Sequence, residues 1–300
     1  MSLCAFSGLI NMSTKVSVEL SAITVADLVP IGHFLHDNLN HHVAPEAWVR
    51  AVNPAWMSDA PNHGFMLQTR DGKIVGVYLA FYSARQIAGA TERFCNLAAW
   101  CVLEAHRGHG LRLVRALLAQ VGYHFTDLSP SGNVVPLNKR LKFQELDTTT
   151  ALVPNLPRVG SSRTRITTNP TKIARVLTGN DLTIYRDHAH TPAANHLVVQ
   201  RGSESCYVIF RRDRRKNLPL FASILYVGNP NLFRTVARNV YGHLLVRHGI
   251  PVTLAELRIV GDQPLGSRLL RSARPKMFRS SHLQPDQIDY LYSELTCVAW

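Results

Sequence analysis

The chain has little cysteine and none of it is organised. Its five cysteines, Cys4, Cys95, Cys101, Cys206 and Cys297, are odd in number, scattered and without a CxxC pair. That pattern excludes a disulfide framework and a thiolate zinc site, and the thiols read as small hydrophobes. Long apolar runs are also missing. The most apolar stretches, residues 75–82 and 218–227, fall well short of the roughly 20 residues a membrane-crossing helix requires. No basic segment precedes an apolar one in residues 1–20, where Asn11, Ser13 and Lys15 interrupt the pattern. A signal peptide is therefore not expected, and the cytoplasm is the expected compartment. Neither GxxxxGK(S/T) nor GxGxxG occurs, which removes the main support for a nucleoside triphosphatase or a dinucleotide-binding enzyme.

Acidic residues thin out along the chain. Residues 1–150 carry 12 Lys and Arg against 11 Asp and Glu, and residues 151–300 carry 21 against 9, so the net charge of +13 sits almost wholly in the second half. A basic half steers anions without naming them. Nucleic acid is disfavoured as a partner, because the basic residues come without interleaved exposed aromatics and without a helix-turn-helix or zinc signature.

With 300 residues, 46% of them hydrophobic and 18% charged, the chain is globular and large enough for two medium domains. Residues 151–170 are rich in Pro, Gly, Ser and Thr and read as a linker. Before it, apolar spacing predicts a helix over 26–42 behind a cap at Thr24. Strands follow over 64–69 and 74–82, joined across Asp71-Gly72, a hairpin signal. A strand over 94–103 then leads through Gly108-His109-Gly110 to an amphipathic helix over 111–121, a strand over 123–128 and a helix over 134–141. This is an α/β or α+β layered order. The same order recurs after the linker, with ILYVGNPNLFRTVARNVYGHLL laid over AWCVLEAHRGHGLRLVRALLAQ and Val227 on Val102. It predicts an internal duplication, with a final strand over 252–259.

The strand, glycine turn and helix around Arg107-Gly108-His109-Gly110-Leu111-Arg112 suit a phosphate group. Glycine admits close backbone approach, and a helix N-terminus presents N–H groups and partial positive charge. Gly228-Asn229-Pro230-Asn231 in the second copy puts a proline where a donor is wanted.

From about Gly64 to Leu146 the chain resembles the GNAT superfamily of acyl-CoA-dependent N-acyltransferases. The residues that carry the likeness are IVGVYLAFY, WCV with EAHRGHG, LRLVRALLAQ and NVVPLNKRLKF. The resemblance implies two GNAT-like domains, each a central twisted mixed sheet flanked by helices: an acyl-CoA-binding domain over 1–150 and a degenerate one over 171–300 that binds no CoA. It further implies that Arg107, Gly108, His109, Gly110, Leu111 and Arg112 hold the CoA pyrophosphate, that Cys101 and Val102 at the strand edge meet pantetheine and the thioester, and that Asn133 matches the asparagine of the late helix. Three positions depart from the family pattern: Ala105 replaces a Gln or Arg, Arg112 replaces a small residue, and Asn138 stands where a proton-donating tyrosine is usual.

The implied cofactor is acetyl-CoA or another acyl-CoA. The implied reaction is direct attack by an amine of a small molecule, peptide or sugar, which needs a base and oxyanion donors, with an acid for the thiolate optional. Glu92, near the start of the strand leading to Val102, is the candidate base, and Tyr123 the candidate replacement acid. His33, His36, Asp37, His41 and His42 cluster within a few helical turns and border the expected acceptor pocket; no metal is expected. An acyl-CoA sensor without activity and a polyanion binder using the basic half are the competing readings, and oligomerisation is left open.

Overall fold

The computed structural model describes residues 17–157, 163–215 and 218–299. Cys4, most of the N-terminal stretch read for a leader, the centre of the 151–170 connection and Lys216 lie outside them. The strands are β1 (Val18–Ala22), β2 (Gly64–Thr69), β3 (Ile74–Ile87), β4 (Ala90–Val102), β5 (His124–Asp127), β6 (Gln144–Glu145), β7 (Thr150–Pro154), β8 (Thr164–Thr167), β9 (Asn195–Arg201), β10 (Glu204–Arg215), β11 (Leu218–Val227), β12 (Val252–Glu256), β13 (Arg268–Leu269) and β14 (Met277–Arg279). The helices are α1 (Leu28–Asn38), α2 (Pro45–Val52), α3 (Gly110–Leu118), α4 (Val134–Arg140), α5 (Pro170–Val176), α6 (Gly179–His188), α7 (Pro230–His248), α8 (Leu257–Val260) and α9 (Glu294–Cys297). None of the helices is long and apolar enough to cross a membrane.

Two seven-stranded mixed sheets result, flanked by helices. Their orders are β1-β2-β3-β4-β5-β14-β6 and β8-β9-β10-β11-β12-β7-β13. Most neighbours are antiparallel, while β4–β5 and β11–β12 are parallel. In the sixth place the sheets differ: β14, from the second half of the chain, lies beside β5 in the first, whereas β7 beside β12 belongs to the unbroken run β7–β13 that makes the second. The stretch read as a linker therefore contributes two strands, β7 and β8, to the second sheet.

Local chemistry explains the element boundaries. Thr24 and Asp27 form a reciprocal cap, Thr24 donating to Asp27 Oδ2 from its backbone N–H at 2.8 Å and from its hydroxyl at 2.7 Å; it starts a 3-10 turn that runs into α1. The helix stops at Asn38, short of the expected 42. Asn38 donates back to the Phe34 carbonyl, His36 donates to the Val43 carbonyl, and Pro45 opens α2. The β2–β3 hairpin turns at Gly72, whose φ of 83° favours glycine. Beyond Glu256 the expected strand instead becomes α8, ended by Gly261.

Each sheet has its own core, one around Trp48, Leu35, Leu67, Phe81 and Leu113, the other around Val199, Phe210, Phe233 and Leu244. A third cluster joins the two halves. It packs Phe94, Leu128 and Leu146 against Leu225, Phe278, Ile288 and Tyr290. Buried Arg85 on β3 crosses the same junction, pairing with Asp289 at 2.6 Å, donating to the Leu291 carbonyl at 2.9 Å and lying over Phe94.

His188 on α6 sits at this junction with no exposed surface. Its Nδ1 donates to the Ile184 carbonyl, its Nε2 accepts the Tyr292 N–H at 3.1 Å, and its ring stacks on Trp56. Both nitrogens are thus committed to the neutral tautomer. Burial pushes the imidazole down to about 3, and that of His196 to about 4. Folded-state values below the ordinary one mean stability complete above about pH 6.5 and lost as pH falls, by about 1.4 kcal/mol per pH unit for each ring. Urea midpoints should therefore fall between pH 7.5 and pH 5, and less steeply in His188→Gln; a midpoint that rises on acidification contradicts this.

The exchanged strand gives a second expectation. A fragment of residues 1–150 lacks β14 and leaves the β5 edge, Phe94 and Leu128 uncovered. It should aggregate at concentrations where the whole chain is monodisperse by light scattering; a well-behaved fragment would refute the dependence.

Candidate active site

The site is built where β4 and β5 part. Their parallel ladder holds only three pairs, Phe94–His124, Cys95–Phe125 and Asn96–Thr126. Beyond Asn96, β4 continues to Val102 with β3 on one side and no strand on the other. The result is a fork whose free edge is 97–102. Opposite Tyr78, β4 carries an extra residue, and Ala99 takes a φ of 50°. Such a bulge re-aims backbone groups, and a positive φ at alanine is a cost that the surrounding pairs must hold in place. Trp100, just past the bulge, stacks on Tyr78 with ring centroids 5.1 Å apart.

At the end of β4 the residues singled out in the sequence come together. Glu104–His109 form a 3-10 turn that passes into α3 at Gly110. Gly108 faces open space. Gly110 packs its Cα against Trp100 and Val102. The Arg107 side chain is exposed and meets Glu104, itself exposed, only at 3.5 Å. His109 is half-buried and Leu111 exposed. Arg112 is committed elsewhere, donating to the Val18 carbonyl of β1 at 2.7 Å. Cys101 is buried, with its thiol directed to the Asn38 carbonyl and pushed by burial up to about 11. Asn133 is exposed ahead of α4.

Glu92 lies at the opposite, paired end of β4. Its Oε2 is 2.9 Å from His124 Nε2 on β5, and its Oε1 is 3.0 Å from His282 Nε2 in the segment after β14. These bonds hold its carboxyl below the usual range. Glu92, His124 and His282 are a three-donor cluster of the kind that can hold a metal ion. The second ring nitrogen of His124 is buried without a partner, whereas a ligating imidazole is usually oriented through that nitrogen. Tyr123 precedes β5 at this same end, with its hydroxyl bonded to Arg93 and its ring beneath that guanidinium. It therefore stands away from the open fork. Of the clustered histidines, His36 is tied to Val43, and His41 and His42 contact one another.

Sequence reasoning missed the polar groups inside the fork. Asn96, fully buried, donates to Glu294 Oε2 at 2.5 Å and accepts from Thr126 at 2.9 Å. Ser129 donates to Glu294 Oε1 at 2.6 Å. Asn138 donates to Asp127 Oδ2 at 2.8 Å. Glu294 arrives from 198 residues away, so only alternation along β4 and β5, which puts Asn96 and Thr126 on one face, was available as a signal.

The second sheet repeats the geometry in part. The β11–β12 ladder also holds three pairs, Phe221–Val252 to Ser223–Leu254, and β11 has an extra residue at Leu225. Here the turn into α7 contains Pro230, and Asn229 spends its side chain capping Leu232.

No family model and no curated protein matches the chain at the level of sequence. Solved structures do match. A GCN5-related N-acetyltransferase from Anabaena variabilis is 12% identical with a TM-score of 0.57, over 88% of this chain and 72% of that one. One from Kribbella flavida is 12% identical with a TM-score of 0.54, over 89% and 72%. A GCN5-related glucosamine N-acetyltransferase region of a fungal multi-domain β-N-acetylglucosaminidase is 11% identical with a TM-score of 0.54, over 89% of this chain and 38% of that one. At such identity the likeness is one of architecture: the chain has the fold of the GCN5-related N-acetyltransferases.

Proposed function

We propose that the chain is an acyl-CoA-dependent N-acyltransferase that moves an acetyl or other acyl group to an amine by direct attack within a ternary complex. The observation that carries the reading is the fork between β4 and β5, opening beside the turn of Arg107, Gly108, His109, Gly110, Leu111 and Arg112. An extended pantetheine arm can lie along the free edge of β4 past Cys101 and Val102 as an added strand would, and the pyrophosphate can meet the open face at Gly108. Arg107, exposed and only loosely paired with Glu104, supplies a cation there. Asn133, exposed at the start of α4, is assigned to the same cofactor.

The acceptor's proton is assigned to Glu92. Because both of its oxygens are engaged by imidazoles, it acts through His282, whose exposed ring takes the proton while Glu92 carries the balancing charge. Tyr123 belongs to this acceptor end. The acceptor is a small-molecule, peptide or sugar amine.

We assign acyl-CoA binding to residues 1–150 and read 171–300 as a degenerate second domain, with 151–170 as the connection. The shared strand order, the second three-pair ladder and the bulge at Leu225 support this. Pro230 at the second turn argues against a second CoA site. The four described cysteines are buried and free, which fits a reducing compartment such as the cytoplasm.

Two outcomes test the reading. Gly108→Val should keep the wild-type melting temperature, since an added Cβ meets nothing within 4 Å, yet abolish acetyl-CoA binding in calorimetry; Gly110→Val should also lose stability, its Cβ falling 3.3 Å from Trp100. Undiminished affinity in Gly108→Val rejects the turn as the phosphate site. Glu92→Gln should lower turnover on an amine panel by about 100-fold or more while leaving acetyl-CoA affinity nearly unchanged. Equal turnover removes Glu92 from the chemistry.

A further inference from the structure

Acyl transfer ends with a thiolate leaving the carbonyl carbon, and the inference below rests on the acyl-CoA reading. The groups placed so far leave that sulfur without a proton donor. The Tyr123 hydroxyl is held by Arg93 beneath its guanidinium, and Asn138 has no acidic proton.

The fork itself holds two carboxyls that the reading has not used. Thr126 and His124 bond to Asn96 and Glu92 on one face of the sheet. Alternation along β5 turns Asp127 to the other face. Glu294, bound to Asn96, and Asp127, bound to Asn138, thus flank the gap from opposite sides. Asp127 is the last residue of β5, where the strands have separated, and it is 5% exposed. Glu294 has no exposed surface of its own, and its partner Ser129 is exposed.

We propose that Asp127 is the catalytic acid that protonates the CoA sulfur, and that Glu294, carried into the fork by the C-terminal segment, is the positioning residue that keeps the proton on Asp127. In the step, the amine nitrogen bonds to the thioester carbon, the C–S bond breaks with its electron pair going to sulfur, and the Asp127 proton passes to that sulfur. The acceptor's surplus proton leaves through His282 and Glu92, and Asp127 regains its proton from water.

The groups facing Asp127 support this role. Burial pushes its carboxyl up to about 7, and the Glu294 charge adds to the effect, against the lowering bonds from Asn138 and the Ser129 backbone. Tyr78 on β3, which feels the Asp127 charge, is driven well above its usual value by burial and holds its proton, as does buried Cys95 on β4. Burial raises the carboxyl of Glu294 as well, opposed by the bonds from Ser129 and Asn96 and, from the second sheet, by the charge of Arg211.

The test needs no acceptor. CoA is bound to the protein and its thiol titrated by ultraviolet absorbance, with desulfo-CoA as the blank. An ionised Asp127 beside the sulfur disfavours a second negative charge, so the bound thiol should titrate about one pH unit higher in wild type than in Asp127→Asn, a tenfold difference in thiolate fraction. Asp127→Glu should restore the shift, which a purely structural role would not do. Should Asp127→Asn fail to fold, the alkylation rate of wild-type-bound CoA by iodoacetamide serves instead, and its pH profile should be displaced to higher pH than that of free CoA, with slower alkylation at each pH. CoA bound with an unshifted thiol overturns the assignment alone. Failure of wild type to bind CoA overturns the acyl-CoA reading and the assignment together.

Discussion

The short parallel ladder between β4 and β5 governs the molecule. Three residue pairs hold the strands together, and beyond Asn96 they separate. A sheet opened in this way leaves unpaired backbone groups and a polar gap in its middle, which is costly unless something meets them. Polar side chains gather at its base. Asn96, Thr126, Ser129, Asp127, Asn138 and Glu294 form two connected sets that satisfy one another within the fork. A fully hydrogen-bonded cluster of this kind makes the opening a fixed feature of the fold and leaves its carboxyls in a low-dielectric setting suited to proton transfer.

The opening depends on the far end of the chain. The segment from Met277 to Cys297 supplies β14 to the first sheet, His282 to Glu92, Asp289 to Arg85 and Glu294 to Asn96. Arg85 shows why this segment cannot simply be removed: its guanidinium is buried, and without Asp289 and the Leu291 carbonyl it would be an uncompensated interior charge, typically costing 3–5 kcal/mol. Lys276 and Glu256 make a second buried pair beneath Tyr290. The fork of the first sheet and the integrity of the second half are therefore one problem, even though the glycine turn lies wholly in the first.

How much of this was legible follows from range. The β2–β3 hairpin, the strand ending at Val102 and the turn into α3 are written in adjacent residues, and local turn chemistry and periodicity suffice to read them. The bulge at Ala99 is not, because nothing in AAWCV marks alanine for a left-handed conformation; it sits where Trp100 stacks on Tyr78 across the ladder. The three-residue strand β14 has too short a pattern to call. Residues 257–260 look like strand by composition, yet they turn into α8 after Glu256 is drawn to Lys276. Glu92 could be singled out only through the family resemblance, by its place near the start of the strand leading to Val102, and not its partners His124 and His282, nor the arrival of Glu294, all of which only the folded chain brings together.

The central claim is that the fork of the first sheet, and not its counterpart in the second, receives the cofactor. Amide hydrogen exchange with and without CoA tests it most directly. The account predicts slowed exchange over 97–110 and around Ser129 to Asn133, with 223–232 unchanged. Protection confined to 223–232, or no protection along the free edge of β4, would contradict it.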